Sequence, residues 1–344
     1  MSRTAPQSTI PPWRHRWRRG VRDASVLMAV AIVGQAAAAD FTARLLGRWP
    51  DQLRGQVHGI AVSEGFAYVG LYNSGLKILD VRDPATPKFV SDLDLDGPVD
   101  GLAISGELLF LSNRERGLQV INVADQANPS LVATLPTGGP LRPVEHFSNT
   151  GANLAVSGSH VFLADGKLGF KTFDVSDPAQ PRFLNRVAVP ATGSIEAVAV
   201  AVSGSHAYVA CAQGGLWVID VSDPALPTRV ATIPVRSGPG FRLVLNVAAS
   251  GDVVCYSDGH ELVVLDVSNP AMPRQVAAVA VDGARQVALS GTLAFVGTNE
   301  GRARSVDISD PAQPRLHQFL NGVSGHLAFD GEHAFGGGSG GLVT

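Results

Sequence analysis

The amino-acid sequence predicts an all-β fold, a seven-bladed β-propeller of four-stranded blades in which the N-terminal strand closes the last blade. Two observations lead to this prediction. A short polar motif recurs at intervals of 41 to 52 residues, and each interval contains four runs of β-forming residues. The chain has 344 residues, 45% of them hydrophobic, which is enough to bury a substantial core. We therefore expect residues 40–344 to form a single β-propeller domain.

The recurring motif is an apolar residue, an Asp, a second apolar residue, two polar residues and a Pro. Its copies are at residues 79–84, 173–178, 219–224, 265–270 and 306–311, with a degenerate copy at residues 121–125. A period of about 40 to 50 residues with strand-like content is typical of propeller blades.

The fourth repeat shows the predicted strands of one blade. They are residues 198–202, 207–211, 216–221 and 229–233. A Ser-Gly pair separates the first two strands, and such pairs recur at Ser105-Gly106, Ser157-Gly158, Ser203-Gly204, Ser250-Gly251 and Ser290-Gly291. Because glycine adopts positive φ without steric cost, each pair predicts a tight hairpin turn.

The connection from the third to the fourth strand has the pattern Asp-x-Ser-Asp-Pro-x-x-Pro, complete at residues 220–227 and 307–314. Asp and Ser oxygens accept hydrogen bonds from nearby backbone N–H groups, and Pro fixes φ and lacks a donor, so the pattern predicts a rigid loop. A calcium site is the alternative, given the repeated carboxylates. The glycine and closing glutamate of a calcium loop are missing, which favours the structural turn.

The two ends of the chain predict how the ring closes. Residues 43–49 take the place of a fourth strand before the first inner strand at residues 57–62, whereas the last repeat stops at residues 341–344, inside its third strand. The N-terminal segment can therefore complete the last blade, which removes both free sheet edges. Six whole repeats and one shared between the ends make seven blades.

Residues 214–224 and 75–87 resemble the repeat unit of the LVIVD-repeat proteins, and the resemblance extends over residues 42–344. It implies a β-propeller and places the chain among exported or surface proteins of bacteria and archaea. The family offers no active-site motif to compare with these residues, so the resemblance implies nothing about catalysis.

Residues 1–39 have the order of a secretory signal peptide. A basic segment at residues 14–22 precedes an apolar stretch at residues 24–34, and small residues follow up to Ala39. The apolar stretch is too short to span a bilayer, and an uncleaved membrane anchor is the alternative. Arg18-Arg19 is a poor match to a twin-arginine signal. We expect cleavage after Ala39 and a periplasmic or secreted protein with no stable membrane span.

Removal of residues 1–39 leaves 21 basic and 29 acidic side chains, a net charge of about −8. Binding to nucleic acid requires clustered Lys and Arg that neutralise phosphates, and no such cluster follows Arg22. The composition therefore excludes a nucleic-acid partner.

Cys211 and Cys255 are the only cysteines. They lie on equivalent second strands of neighbouring repeats, at a separation that normally forbids a disulfide. We expect two buried free thiols.

The sequence contains no P-loop, His-Glu-x-x-His or Cys-x-x-Cys motif. No catalytic residue, cofactor or metal ligand is therefore assigned by motif. The Gly-rich residues 336–341 are interpreted as turn and strand.

Polar side chains occupy positions at or just before the predicted inner strands, where apolar residues are expected. They are His58, Asp100, Asn153, Glu196, Asn246, Arg285, Gln286 and His326. Because inner strands surround one axis, these residues should converge at a channel mouth and are candidate ligand-binding residues. The alternative is that they only line a solvated channel. His58 and His326 belong to neighbouring blades after closure and could bind a metal with Asp100, although solvated histidines are the more ordinary arrangement.

The longest interval, 52 residues, places roughly six to ten additional residues at 137–150. This loop includes Arg142, Glu145, His146 and Phe147, of which Glu145 and His146 join the candidate ligand-binding residues. Long loops on a rigid scaffold often carry recognition, and they also tolerate neutral insertions.

Three functions are compatible with the sequence. The first is a monomeric, non-enzymatic binding module or scaffold outside the cytoplasm, which binds a protein, a peptide or an envelope glycan without a cofactor. The second is a hydrolase or lyase that uses residues at the channel mouth, with or without a metal: His58, Asp100, Glu196, Arg285 and His326. The third is a purely structural surface repeat, which a larger array or an anchor would favour.

Overall fold

The computed structural model describes residues 25–33, 42–53, 57–72, 75–137, 153–190, 195–236, 242–321, 326–331, 333–338 and 341–343. All regular secondary structure in these ranges is β-strand, which confirms the all-β prediction. In the same ranges, no helix has the length and apolar character needed to cross a membrane.

Strands β1 (Ser25–Val33) and β2 (Thr42–Leu53) precede six four-stranded antiparallel sheets, blades 1 to 6, in which strands adjacent in sequence are adjacent in the sheet. The strands of blades 1 to 3 are β3 (Val57–Ser63), β4 (Phe66–Leu71), β5 (Gly75–Asp80) and β6 (Lys88–Leu93); β7 (Val99–Ser105), β8 (Leu108–Asn113), β9 (Gly117–Asn122) and β10 (Ser130–Leu135); and β11 (Leu154–Ser157), β12 (His160–Ala164), β13 (Phe170–Asp174) and β14 (Arg182–Val187).

The strands of blades 4 to 6 are β15 (Ile195–Ser203), β16 (His206–Ala212), β17 (Leu216–Asp220) and β18 (Thr228–Ile233); β19 (Asn246–Ser250), β20 (Val253–Ser257), β21 (Glu261–Asp266) and β22 (Arg274–Ala280); and β23 (Ala284–Ser290), β24 (Leu293–Thr298), β25 (Arg302–Asp307) and β26 (Arg315–Asn321). In blade 4, the four strands agree with the sequence prediction to within three residues at each end. The repeat motif thus predicted the blade unit correctly.

The last sheet corrects the prediction of seven four-stranded blades, because in the described residues six sheets have four strands and this one has five. It contains β27 (His326–Phe329), β28 (His333–Gly338) and β29 (Gly341–Val343), and its order is β1-β2-β29-β28-β27. β29 pairs with β28 at residues 336–338, and β1 pairs with β28 at residues 333–335 and again at Gly337. The fifth strand of this sheet, β1, comes from the segment predicted to be the core of a signal peptide.

The first strands of the blades surround the axis. Each packs against the first strand of the next blade, and β27 packs against both β23 and β3. Apolar side chains fill the layers between neighbouring sheets, for example Tyr208 and Tyr256 between blades 4 and 5. The rings of Phe295 and Phe329 lie 4.7 Å apart between blade 6 and the last sheet. The apolar side chains buried between the faces of neighbouring sheets therefore hold the repeats together.

The two predicted turns of the repeat are confirmed. Gly106, Gly158, Gly204, Gly251 and Gly291 all have positive φ. In the Asp-rich loops, each aspartate accepts hydrogen bonds from the backbone two residues later, as in Asp220 with Ser222 N at 2.8 Å and Asp223 with Ala225 N at 2.9 Å. These bonds lower the pKa of Asp220, with Ser222 as the main cause. The carboxylates therefore serve as hydrogen-bond acceptors for the backbone of the turns.

Cys211 and Cys255 are free and buried, as predicted. They lie on β16 and β20 in different apolar layers. Burial raises the pKa of the Cys255 thiol to about 12 and that of Cys211 well above its usual value. Both therefore behave as small apolar core residues.

Candidate functional site

The polar residues predicted at the inner strands share one end of the molecule, which we call the mouth face. Because strands alternate in direction, this face also carries the connections between blades and the turns between second and third strands. His58, Asp100, Glu196, Asn246, Arg285, Gln286 and His326 lie within the first three residues of their strands, and Asn153 directly precedes β11. Arg142, Glu145, His146 and Phe147 lie outside the described residues.

From blade 5 to the last sheet, the predicted residues link neighbouring sheets. Asn246 Oδ1 accepts a hydrogen bond from Val287 N at 3.1 Å, and Gln286 Nε2 lies 2.9 Å from His326 Nδ1. All three polar side chains are buried. Arg285 differs, because its side chain is exposed and its carbonyl accepts from Ser257 Oγ at 2.8 Å. On this side of the ring, the polar residues join blades to one another.

His326 is electrically neutral near pH 7. Burial, with a smaller contribution from the nearby His58, lowers the pKa of His326 to about 3. A ring with this pKa is a weak proton acceptor, so His326 is poorly suited to acid-base chemistry near neutral pH.

His58 and Asp100 belong to a charged aromatic cluster between blades 1 and 2. Asp100 is held by Arg114, whose Nε donates to Oδ2 at 3.0 Å and whose Nη2 donates to Oδ1. Arg114 Nη1 donates to the hydroxyl of Tyr72 at 3.1 Å, and the rings of Tyr72 and His58 are 4.8 Å apart. His58 Nδ1 lies 3.8 Å from Asp100 Oδ1 and has no hydrogen-bond partner. The imidazole of His58 thus faces a carboxylate whose two oxygens already accept hydrogen bonds from Arg114.

Blades 3 and 4 carry an ion pair with one exposed member at the mouth face. Gly166 and Ala197 form a backbone bridge between these blades, which brings Lys167 beside Glu196. Lys167 Nζ lies 3.5 Å from Glu196 Oε1, and their side chains are 61% and 15% exposed. Asn153 Oδ1 accepts from Ser112 Oγ of blade 2 at 2.9 Å. Lys167 is therefore exposed to solvent, whereas Glu196 is largely buried beside it.

A buried ion pair between Lys171 and Asp165 lies behind this arc. Lys171 Nζ donates to Asp165 Oδ2 and to the carbonyl of Thr137, and both charged side chains are at most 4% exposed. Burial raises the pKa of Asp165, and the contacts with Lys171 oppose that rise. The pair fixes the residue at which the long connection from blade 2 to blade 3 begins.

Sequence reasoning missed a second charged network, on blade 5. Arg242 Nη1 donates to Asp258 and, at 2.9 Å, to Glu261, which also accepts from Arg236 Nη1. The hydroxyl of Tyr256 is buried beside these charges and has no partner.

The sequence signal for this network is the residue type at the end of the second strand. This residue is an Asn or Asp in three blades, as Asn113, Asp165 and Asp258, and is Leu71, Cys211 or Thr298 in the other three. The side chains of Asn113, Asp165 and Asp258 are buried, and each contacts a polar or charged side chain nearby. Aligning only the inner strands left this position out.

The connections between blades make the mouth face asymmetric. Residues 136–153 and 234–245 are the longest, with 18 and 12 residues, whereas the others among blades 1 to 6 and the last sheet have three to seven. These two connections flank blades 3 and 4.

In the described part of the chain, no three His, Cys, Asp or Glu side chains lie close enough together to hold a metal ion. His58, Asp100 and His326, which the sequence offered as possible metal ligands, do not form such a group either.

The family model of the LVIVD repeat matches six stretches of the chain: residues 54–94, 96–137, 150–189, 196–233, 242–281 and 283–321. Each stretch covers one of blades 1 to 6. Curated proteins give no match to the sequence.

Solved structures give similarity of fold. A protein from Lactobacillus plantarum is 15% identical with a TM-score of 0.66, over 88% of this chain and 97% of that chain. The periplasmic gluconolactonase of Pseudomonas aeruginosa is 14% identical with a TM-score of 0.63, over 92% and 97%. The computationally designed Ika8 protein is 14% identical with a TM-score of 0.58, over 84% and 95%.

Proposed function

We propose, on the premise that this chain belongs to the LVIVD-repeat family, that it is an exported β-propeller that binds its ligand on the mouth face without catalysing a reaction. The ligand is a protein segment, a peptide or an envelope glycan. The binding region is the arc over blades 3 and 4, between the connections formed by residues 136–153 and 234–245.

The observation that carries this proposal is the asymmetry of the mouth face. From blade 5 to the last sheet, Asn246, Gln286 and His326 are buried in contacts between sheets, and the connections there are short. Over blades 3 and 4, the exposed Lys167 pairs with Glu196 and lies between the two longest connections. Specific recognition needs unlike groups at fixed places, whereas folding of a repeat needs like groups.

The same proposal includes export and closure. Cleavage after Ala39 removes β1, so β27, β28, β29 and β2 are left to form a seventh, four-stranded blade. The contact of Arg48 with Val343 already pairs β2 with β29. Intact-mass measurement of the protein from its native envelope tests cleavage, and a mass that includes residues 1–39 in a cytosolic fraction contradicts it.

Affinity capture from native envelope extract tests the binding face. Lys167→Ala/Glu196→Ala removes both members of the accessible pair and leaves no stranded charge. Arg274→Ala is the matched control, because Arg274 is 74% exposed and pairs with Asp266 on the opposite face. We expect the double variant to lose the species captured by the unmodified protein and the control to keep them. Equal capture by both variants places the ligand elsewhere.

A second candidate function is hydrolysis at the His58 cluster. It is favoured by an imidazole 3.8 Å from a carboxylate, an arrangement that can orient a general base, and by the fold shared with a gluconolactonase. Glucono-δ-lactone and p-nitrophenyl acetate are suitable probes. Turnover that disappears in His58→Asn supports this candidate, and turnover unchanged in that variant removes it.

A further inference from the structure

Blade 5 holds two buried donors that the described residues leave without acceptors. Arg242 uses Nη1 for both of its carboxylate partners, Asp258 and Glu261. Its Nε is buried and has no hydrogen-bond partner, and the hydroxyl of Tyr256 has none either. Buried polar groups are nearly always paired, so two orphaned donors in the same cluster of charged side chains indicate that an acceptor belongs there.

The backbone holds Arg242 in a fixed position. Val244 pairs with Ala212 of blade 4, and Leu245 N donates to Ser257 O of blade 5 at 2.9 Å. Leu243 N donates to Asp258 O at 3.4 Å. The backbone next to Arg242 is thus bonded to two blades, and its guanidinium is held by Asp258 and Glu261, so little ordering is needed when a ligand binds.

The charges of the cluster favour a ligand with one negative charge. Two guanidinium groups, of Arg236 and Arg242, face the carboxylates of Asp258 and Glu261. Burial, reinforced by Asp258, raises the pKa of Tyr256 to about 12, so its hydroxyl remains a donor. A dianion such as a phosphate monoester would meet two nearby carboxylates, whereas a monoanion meets less repulsion.

We propose that the Nε edge of Arg242 and the hydroxyl of Tyr256 form a carboxylate-binding subsite of the mouth face. A guanidinium edge presents two parallel N–H groups, which match the two coplanar oxygens of a carboxylate, and a further lone pair accepts from the phenol. A neutral carbonyl has only one oxygen for this edge. The subsite rests on the proposed binding function and deepens it, because it recognises the carboxylate group of the ligand.

The side-chain Nε–H resonance of Arg242 reports this subsite directly. In the ¹⁵N-labelled protein, the resonance is identified by its absence in Arg242→Lys. It is followed during titration with N-acetylglycine and with galacturonic acid, which carry the carboxylate of a peptide terminus and of an acidic sugar. The amide of the first and the methyl ester of the second are the neutral controls.

We expect the resonance to shift and saturate with at least one carboxylate and with neither neutral control. The probe that binds distinguishes a peptide terminus from an acidic glycan. Tyr256→Phe should weaken binding by about tenfold while the melting temperature stays unchanged, because the hydroxyl has no partner to lose. Arg274→Lys on the opposite face should bind like the unmodified protein.

Absence of a shift with both carboxylates, or an equal shift with a neutral control, overturns the subsite. A large drop in melting temperature in Tyr256→Phe also overturns it, because the hydroxyl would then have a structural partner. The capture experiment depends on Lys167 and Glu196 instead, so its failure and the failure of this titration are distinguishable.

Discussion

One position in each blade shows how side chains differ on a repeated frame. At the end of the second strand, Asp165 and Asp258 bind basic side chains, whereas Cys211 at the equivalent position is part of an apolar layer. In all three blades the N–H of this residue donates to a carbonyl at the start of the third strand. Differences between blades are therefore differences of side chain on a repeated frame, and predictions at this scale concern single substitutions.

His326 should make stability depend on pH. Its folded pKa of about 3 is lower than its ordinary value of 6.5, so the unfolded chain takes up a proton first as pH falls. The stabilisation is complete above about pH 6.5 and is lost progressively towards pH 3. Between pH 7 and 4.5 the free energy of unfolding should fall by about 2 kcal/mol more in the unmodified protein than in His326→Gln.

Urea denaturation at the two pH values measures this difference. The groups that face His326 are His58 and Gln286. The aspartates of the turns lose their contribution only at lower pH, because their pKa values are lowered from 3.8. His160→Gln, at a partly exposed imidazole, is the control and should behave like the unmodified protein. If the free energy of unfolding falls by the same amount between the two pH values in His326→Gln and in the unmodified protein, His326 is not the source of the pH dependence.

Gly215 should tolerate substitution much less than Gly204 in the same blade. Both have positive φ, but a Cβ at Gly215 would lie 2.0 Å from Ile233 O, whereas nothing lies within 4 Å of one at Gly204. We expect Gly204→Ala to cost about 1 kcal/mol and Gly215→Ala about 3 kcal/mol or more. Thermal denaturation compares them. Equal melting temperatures would mean that strand β18 can move away.

At the scale of strands and connections, periodicity predicts position but not contact. The alternating runs located the strands of blade 4 to within three residues. The repeat interval located one long connection, residues 136–153, and missed the other, residues 234–245. The spacing between two copies of the motif is the summed length of four strands and their connections. A connection that is only moderately longer than the others therefore does not stand out in that spacing.

The Lys171–Asp165 pair gives a prediction at this scale, because it joins β13, the turn after β12 and the start of a long connection. Lys171→Met alone should lower the free energy of unfolding by about 3 to 5 kcal/mol, since it leaves a buried carboxylate unpaired. Adding Asp165→Asn should restore most of the loss. Urea denaturation of both variants provides the measurement, and a double variant as unstable as the single one would contradict this explanation.

At the scale of the whole molecule, closure of the ring joins the two ends of the chain. β27 contacts both β23 and β3, and β2 reaches β29 at Arg48. A ring of blades without such a joint exposes a sheet edge and loses the cooperativity of its terminal blades. The N-terminal strand therefore matters for stability far beyond its own contacts.

Deletion of residues 40–50 from the protein of residues 40–344 should lower the melting temperature by roughly 10 °C, because several kcal/mol of strand pairing are lost. Calorimetry compares the two proteins. Deletion of residues 40 and 41 alone is a smaller truncation that ends before β2 and should have a smaller effect. An unchanged melting temperature after the larger deletion would rule out closure by this strand.

The sequence by itself determined the blade unit, its strands, its two turn types and the direction in which polar residues point. These depend on local rules: period-2 burial, glycine at positive φ, and Asp and Ser bonding the next backbone N–H groups. Only the tertiary structure decided which polar residues serve the fold and which stay accessible. Gln286 and His326 are 40 residues apart in sequence and meet across two sheets, whereas Lys167 stays exposed beside Glu196. Contacts between blades depend on how neighbouring faces pack, and no local pattern records that packing.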